Sequence, residues 1–355
     1  MIDKQNYIEI GRRKIGRGYK PFTVAEMSGN HNQSLERALE IVHAAAKAGA
    51  DAVKLQTYTA DTLTIDKKDG EFYIDDPKSL WFGRTMYELY QEAHTPWEWQ
   101  EKIFNECKKL NLECFSSPFD ESSVDFLESL HCPCYKIAST ENTDVLLLKK
   151  VAQTGKPVIM STGLSTVEEL GMSVRVLKEA GCKQLILLKC TVAYPADPKD
   201  ANLLTLPNMA ELFDCQVGLS DHTLGCGVAI ASVALGATLI EKHFTVRRSD
   251  GGVDSAFSME PEEWQIMENE LDRAWKALGK VQYGSLYSSE KTRISRRSLY
   301  VVKDLAAGEV ISRENVRSIR PGLGLPVKDL DMVLGMKVLR PIKRGTPLSW
   351  DFFKN

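Results

Sequence analysis

The sequence predicts an α/β fold: a closed (β/α)8 (TIM) barrel over residues 1–280, a linker at 281–295 and a small domain at 296–355. From residue 22 onward, short apolar runs rich in β-branched residues alternate with longer amphipathic stretches. The length of 355 residues exceeds the roughly 250 that one such barrel needs, so a second domain fits. The pattern of apolar and polar residues changes near residue 280, where a polar stretch precedes short segments that resemble β-strands.

The short apolar runs are the predicted strands. There are eight, at 22–27, 51–56, 113–118, 135–139, 157–162, 184–190, 217–221 and 239–244. Between them, apolar residues recur at helical spacing, and Ser165 with Glu168 predicts a capped helix start. Continuous apolar strands alternating with helices indicate a parallel sheet covered on both faces. Periodicity alone leaves an open, doubly wound sheet as the alternative.

One connection is much longer than the others. Residues 58–94 follow the second strand and carry six aromatic residues between 72 and 90. Long insertions of this kind are often functional lids.

Composition and charge narrow the class of protein. The net charge of -3 gives no reason to expect nucleic acid or an anionic membrane surface as a partner. No apolar run has the roughly 18 residues of a membrane span, and residues 1–20 lack the apolar centre of a signal peptide, so we expect a cytoplasmic protein. Cys132 and Cys134 lack a second pair for a zinc site, and we expect reduced, mostly buried thiols.

Polar residues stand at the carboxyl ends of the predicted strands, where barrels of this type place their active sites; they include Gln56 on the second strand, Ser220 on the seventh and Lys242 on the eighth. A lysine in a buried strand is costly without an anionic partner. Lys54 and Lys136 therefore either pair with structural carboxylates or face a bound phosphate or carboxylate. Hydroxyl groups near them favour the anion, because they donate to the same oxygens; these belong to Ser117, Ser139 and Ser161.

Two histidines suggest a metal site. His222 and His243 end adjacent predicted strands at equivalent heights, roughly 5 Å apart across the sheet. Imidazoles at this spacing can share one divalent ion (Mn²⁺, Co²⁺ or Mg²⁺) and leave positions open for substrate. Glu26 is then a candidate third ligand, substrate-binding group or base. The alternative is two buried histidines that are hydrogen-bonded for structural reasons.

The chain resembles the sialic acid synthase family over nearly its whole length, and most closely its pseudaminic acid synthase branch. The motifs that carry the resemblance are AEMSGNHNQSLERAL (25–39), ADAVKLQTYTADT (50–62), GRTMYELYQEAHTPWEW (83–99), FSSPFD (115–120), CYKIAS (134–139), GLSDHTLG (218–225), IEKHFT (240–245) and DGGVDSAFS (250–258). The tail, RRSLYVVKDLAAGE (296–309) with NVRSIRPG (315–322), resembles the antifreeze-like (SAF) domain of the same enzymes.

The resemblance implies a TIM barrel with a SAF domain, acting as a domain-swapped homodimer. It also implies a set of residue roles. Phosphoenolpyruvate would be bound by Lys54, Ser117, Lys136, Ser139 and Ser161. His222 and His243 would hold the metal. The sugar or the intermediate would face Glu26, Tyr194, Glu241 and Asp254. Arg320 would reach into the partner's barrel, and Lys291, a weaker match, would approach the phosphate.

The activity implied is the metal-dependent condensation of phosphoenolpyruvate with 2,4-diacetamido-2,4,6-trideoxy-L-altrose and water, giving pseudaminic acid and phosphate. Val192 stands where the neuraminate branch usually carries asparagine, and the segment 81–99 also resembles the pseudaminate branch. An N-acetylneuraminate or legionaminate synthase and a non-catalytic sugar-binding relative remain alternatives. A barrel aldolase that forms a Schiff base through Lys54 or Lys136 is a further rival.

Overall fold

The computed structural model describes residues 7–283 and 294–354. The chain divides into two compact units, Met1–Gly279 and Lys280–Asn355. In the first unit, eight parallel strands follow one another around a closed barrel in chain order. The barrel prediction is confirmed, and the open-sheet alternative is excluded.

A short antiparallel hairpin, which the sequence analysis did not predict, precedes the barrel. It pairs β1 (Ile8–Ile10) with β2 (Arg13–Ile15). The barrel strands are β3 (Phe22–Glu26), β4 (Ala52–Thr57), β5 (Glu113–Pro118), β6 (Tyr135–Ile137), β7 (Val158–Ser161), β8 (Leu185–Cys190), β9 (Gln216–Asp221) and β10 (Leu239–His243). Each coincides with a predicted run and differs from it by no more than two residues at either end.

Helices cover the strands. They are α1 (Leu35–Ala48), α2 (Ala60–Leu63), α3 (Met86–Ala93), α4 (Trp97–Lys109), α5 (Glu121–Ser129), α6 (Val145–Gln153), α7 (Val167–Glu179), α8 (Thr205–Phe213), α9 (Gly227–Ala234) and α10 (Pro261–Leu278). The predicted start of α7 is wrong by one residue. Thr166 and Glu169 form the capping box there, while the hydroxyl of Ser165 donates to Asn142 instead, at 2.6 Å.

Strand β8 buries apolar side chains on both of its faces. Ile186, Leu187 and Leu188 succeed one another on β8, and each is fully buried. Successive strand residues point to opposite faces, so such a run needs a packed barrel interior and a covering helix layer. Trp264 of α10 shows that outer layer, since it is fully buried and meets the ring of Phe244 edge-on at 5.5 Å.

The insertion predicted at residues 58–94 is folded. It contains α2 and α3, and Tyr73 pairs with Thr85 in an antiparallel bridge. Ile74 and Arg84 continue this pairing, since the amide of Ile74 donates to the carbonyl of Arg84 at 2.9 Å. The stretch between them is therefore a closed loop with a fixed base.

The second unit has a small core of its own. Its strands β11 (Ser298–Val301) and β12 (Val316–Ile319) pair antiparallel, and Leu330–Val333 form one helical turn. Leu299, Val301 and Ile342 belong to its buried apolar cluster. Across both units, none of the described helices is long and apolar enough to cross a membrane.

Candidate active site

Two lysines meet buried carboxylates inside the barrel. Glu26 and Lys54 are paired positions on β3 and β4, and Lys54 Nζ lies 2.6 Å from Glu26 Oε2. Glu241 of β10 joins them, since its Oε1 lies 3.7 Å from Lys54 Nζ and 3.6 Å from Lys136 Nζ. All four side chains are buried. The structure thus contains the carboxylate partners that buried lysines require, and these carboxylates are themselves predicted site residues.

Serine hydroxyls complete the surroundings of the lysines. Lys54 Nζ donates to Ser117 Oγ at 3.3 Å, and Lys136 Nζ donates to Ser161 Oγ at 2.7 Å. Because both hydroxyls accept from a lysine, their own protons remain available to a bound anion. Four of the five residues predicted to bind an anion are thus in mutual contact, and their binding of an anion stays a prediction.

The pKa values of the two carboxylates, Glu26 and Glu241, are shifted in opposite directions. Burial raises the pKa of Glu26 to about 7, although Lys54 opposes that rise. Burial acts on Glu241 as well, but Lys136 and Lys54 together hold its pKa below the usual value. Glu26 can therefore gain or lose a proton near neutral pH while Glu241 stays ionised. The Oε2 atom of Glu241 is buried and has no hydrogen-bond partner among residues 7–283 and 294–354, so this oxygen can accept a hydrogen bond from a bound group.

The pKa values of the two lysines are shifted in opposite directions. Burial disfavours charge on Lys54, but Glu241 and Glu26 outweigh it and raise its pKa. Burial and the nearby charge of Lys54 lower the pKa of Lys136. An incoming anion would offset both of these effects at Lys136.

His222 directly follows β9 and His243 ends the neighbouring strand β10, and their ring centroids lie 5.4 Å apart. Burial lowers the pKa of His222 to about 4, and burial with the neighbouring His222 lowers the pKa of His243 well below its usual value. His222 Nδ1 lies 2.9 Å from the carbonyl of Thr191. A carbonyl only accepts, so Nδ1 carries the proton and Nε2 keeps its lone pair.

These histidines fit a metal ion as a pair of neutral nitrogen ligands. His243 Nδ1 is buried without a hydrogen-bond partner in the described part of the chain, and it lies 3.9 Å from Asp254 Oδ2. The described residues hold no cluster of three metal-binding side chains. Glu26, predicted as a possible third ligand, contacts Lys54 and Gln56, and its role toward a metal stays a prediction. Water or substrate could supply the remaining ligands.

The other predicted barrel residues flank this centre. The ring centroid of Tyr194 is 4.4 Å from that of His222 and 6.1 Å from that of His243. Asp254 accepts a hydrogen bond from Ser28. Ser139 Oγ accepts from the amide of Gly163 at 3.1 Å.

Two predicted residues lie in sequence beyond the barrel unit. Arg320 belongs to the second unit, where it is exposed. Lys291 lies outside the described residues.

Two polar strand residues, Gln56 and Ser220, contact the carboxylates of the site although they were not among the predicted site residues. Gln56 Nε2 donates to Glu26 Oε1 at 2.9 Å and to Ser28 Oγ at 3.2 Å. Two-residue periodicity could have identified Gln56, since it shares a strand face with Lys54. Ser220 donates to Glu241 Oε1 at 3.2 Å.

Lys242, grouped with the polar strand ends in the sequence analysis, is not part of the site. Its Nζ lies 2.8 Å from Asp221 Oδ2, and it also donates to the carbonyl of Thr223 at 2.7 Å. Its neighbours on β10, Glu241 and His243, point to the other face of the strand. The ion pair of Lys242 is therefore structural.

A parallel barrel whose mouth gathers lysines, hydroxyls, carboxylates and paired imidazoles defines a site for an anionic substrate, of the kind that enzymes carry at this end of the fold. The chain belongs to the NeuB family, whose sequence profile matches residues 41–283, and it carries a SAF domain at residues 296–354. The family prediction and the SAF prediction are confirmed.

Individual relatives cover most of the chain. The pseudaminic acid synthase of Helicobacter pylori is 43% identical over 332 residues, which are 93% of this chain and 97% of that one. The N,N'-diacetyllegionaminic acid synthase of Legionella pneumophila is 36% identical and covers 96% of this chain and 98% of its own. The crystal structure of the N-acetylneuraminic acid synthetase of Leptospira borgpetersenii, in complex with citrate, has a TM-score of 0.72 at 30% identity and covers 82% of this chain and 95% of its own.

Proposed function

We propose that this protein condenses phosphoenolpyruvate with 2,4-diacetamido-2,4,6-trideoxy-L-altrose and water to give pseudaminic acid and phosphate. The observation that carries the proposal is the convergence of Lys54 and Lys136 on Glu241 inside the barrel. It places two cations next to a histidine pair in a chain that is 43% identical to a pseudaminic acid synthase.

The donor's charge fits the lysine centre. Phosphoenolpyruvate carries a phosphate and a carboxylate, and Lys54 and Lys136 would bind them together with Ser117, Ser139 and Ser161. Binding shifts the lysines from Glu241 toward the donor and leaves Glu241 to face the reacting carbons. Charge-assisted hydrogen bonds of this type are about twice as strong as neutral ones.

His222 and His243 would hold the divalent ion through their imidazole nitrogens. Such an ion supplies Lewis-acid chemistry to a substrate oxygen. The chain's own contribution is to keep both imidazoles neutral through burial, and to fix His222 through the carbonyl of Thr191.

The reaction forms a carbon–carbon bond and a bond from C2 to the water oxygen, and it breaks the bond from C2 to the phosphate oxygen. C3 of phosphoenolpyruvate bonds to the aldehyde carbon of the sugar, whose oxygen takes up a proton, and water adds to C2. The C2 hydroxyl formed in this way then becomes the ketone as phosphate leaves with its proton. The attacking water must lose a proton. Glu26 is suited to accept it because its pKa is raised to about 7, and Gln56 holds its Oε1 in place. The anionic Glu241 stabilises positive charge at C2.

A legionaminate-type acceptor is the second candidate, because the Legionella relative is 36% identical over nearly the full chain. The test is a phosphate-release assay with purified protein, phosphoenolpyruvate and Mn²⁺. The altrose-, mannose- and glucose-type acetamido sugars are compared in parallel. We expect the highest kcat/KM with the altrose-type sugar, whereas absence of phosphate release with every sugar would refute a synthase.

The remaining expectations stay predictions. A domain-swapped homodimer would bring Arg320 of one copy to the barrel of the other. Its measurable sign is a dimer by light scattering, with an Arg320→Ala variant that raises the KM of the sugar. The cytoplasmic location is likewise a prediction from the sequence.

A further inference from the structure

Three aromatic rings contact one another in succession next to the histidine pair. The ring centroid of Trp81 lies 6.1 Å from that of Tyr194, and Tyr194 lies 5.1 Å from Phe257. Phe257 in turn lies 4.8 Å from His243. We call Trp81, Tyr194 and Phe257 the aromatic wall. Only Tyr194 belongs to the set predicted from the sequence.

Trp81 is fixed in this wall although it lies on the long insertion. Its indole Nε1 donates to the carbonyl of Val253 at 3.1 Å, and its backbone amide donates to Ser79 Oγ at 3.2 Å. The base of its loop is closed by the bridge between Tyr73 and Thr85. The indole ring of Trp81 thus connects the insertion to Val253 in the loop after β10, and the same ring contacts Tyr194.

The neighbouring residue shows that this placement is specific to Trp81. The side chain of Phe82 follows in the same loop and is 53% exposed. Trp81 is partly buried, and the polar end of its ring is satisfied by Val253. A tryptophan held in this way presents its apolar ring and has no spare donor for a sugar hydroxyl.

We infer that the aromatic wall selects the acceptor, with Trp81 as a specificity-determining residue that favours deoxygenated, acylated sugars over hydroxylated ones. This inference rests on the proposed function, because the aldehyde end of the sugar must lie at the histidine pair. The rest of the sugar then runs along the wall. A methyl or acetyl group gains contact there, whereas a hydroxymethyl group loses hydrogen bonds to water.

The expected discrimination is modest. An apolar pocket separates substrates that differ by one small group by about 10- to 200-fold. Because Trp81 would contact the sugar in the ground state and the transition state alike, its loss should raise the KM of the sugar and leave kcat nearly unchanged.

The test compares the trideoxy diacetamido sugar with N-acetylmannosamine, which has hydroxyls at C4 and C6 in place of the acetamido group and the hydrogen. For each sugar, kcat and KM are measured with the full-length protein and its Trp81→Ala, Trp81→Phe and Phe82→Ala variants. In Trp81→Ala we expect the KM of the trideoxy sugar to rise about tenfold, with the preference over N-acetylmannosamine falling by a similar factor. Trp81→Phe should recover part of the preference for the trideoxy sugar. Phe82→Ala should have the KM values and the preference of the wild type.

The outcomes separate this inference from the proposed function. If the wild type turns over the trideoxy sugar and Trp81→Ala keeps the same preference, the wall does not select the acceptor. The same holds if the variant instead raises the KM of phosphoenolpyruvate. If the wild type releases phosphate with neither sugar, the proposed function fails and this inference fails with it.

Discussion

Lys136 and Glu241 meet across the interior of the barrel, with Nζ of Lys136 3.6 Å from Oε1 of Glu241. Their strands, β6 and β10, lie on opposite sides of the closed sheet. Inward side chains from opposite strands fill the centre of such a barrel, normally with apolar groups. Here a buried ion pair occupies that position. Removing one partner of such a pair is costly, so its presence favours a functional role for the charges.

The hydroxyl of Ser161 is the first test of the anion site. It accepts from Lys136, so its proton can reach a bound phosphate or carboxylate. We expect Ser161→Ala to raise the KM of phosphoenolpyruvate about tenfold, the equivalent of one good hydrogen bond. Steady-state kinetics at saturating sugar measure this.

Ser173 provides the matched control, because it is a buried serine of α7 whose hydroxyl donates to the carbonyl of Glu169 at 2.9 Å. Ser173→Ala should leave this KM unchanged. Equal KM values for the Ser161 variant and the wild type would exclude Ser161 from donor binding.

The histidine pair makes a prediction about metal affinity. We expect His243→Ala to weaken Mn²⁺ binding by more than about 100-fold. This exceeds the effect of removing a residue that only hydrogen-bonds to a metal ligand. Isothermal titration calorimetry of the full-length protein measures this without any substrate.

His31 supplies the control for metal binding, since it is fully buried yet hydrogen-bonded to Thr95 away from the pair. His31→Gln should bind Mn²⁺ as the wild type does. Unchanged affinity in His243→Ala would show that the two imidazoles are only structural.

His31 also predicts how stability depends on pH. Burial, with His94 nearby, lowers its pKa to about 4. The ring is held neutral because Nδ1 accepts from the amide of Gln33 at 3.2 Å, while Nε2 faces the Thr95 hydroxyl. In the unfolded chain the pKa returns to roughly 6.5. This stabilisation is therefore complete above about pH 6.5 and is lost as the pH falls toward the folded value.

When the pH falls from 7.5 to 5, His31 alone should lower the free energy of unfolding by about 2 kcal/mol. Urea unfolding of the wild type and His31→Gln at both pH values measures it as the difference between their two stability changes. A variant that loses as much stability as the wild type over this interval would contradict the assignment.

The lysines distinguish the proposed reaction from a Schiff-base aldolase. Lys54 is a poor nucleophile here, since Glu241 and Glu26 raise its pKa and Glu26 lies 2.6 Å from its Nζ. We expect borohydride treatment with phosphoenolpyruvate and sugar to leave both lysines unlabelled by mass spectrometry. A reduced adduct on Lys54 or Lys136 would establish the aldolase.

The barrel was predictable from the sequence because its signal is local. Each strand is a short apolar run, and its partner follows in chain order, so the register that brings His222 beside His243 follows from the strand boundaries. The convergence of Lys54 and Lys136 was predictable for the same reason, since both stand on inward faces.

Other features depend on contacts that sequence spacing does not contain. The indole of Trp81 meets Val253 across 172 positions of the chain, and no periodicity in the insertion indicates that contact. Lys242 was misplaced because its polarity was considered without its strand face. The capping box of α7 was shifted by one residue because Ser165 and Thr166 are both favoured N-cap residues and each is followed by a glutamate three positions later.

The most direct test of the account is the binding of phosphoenolpyruvate in the absence of sugar. Calorimetric titration would compare the wild type with Lys136→Met and with Lys242→Met, which removes an equally buried lysine outside the site. Thermal unfolding of each variant would establish that it is folded. We predict that Lys136→Met weakens binding by about 10- to 150-fold, as expected for a lost charge-assisted hydrogen bond, while Lys242→Met loses stability and keeps its affinity. Equal affinity in the wild type and Lys136→Met would contradict the claim that the barrel lysines hold the donor.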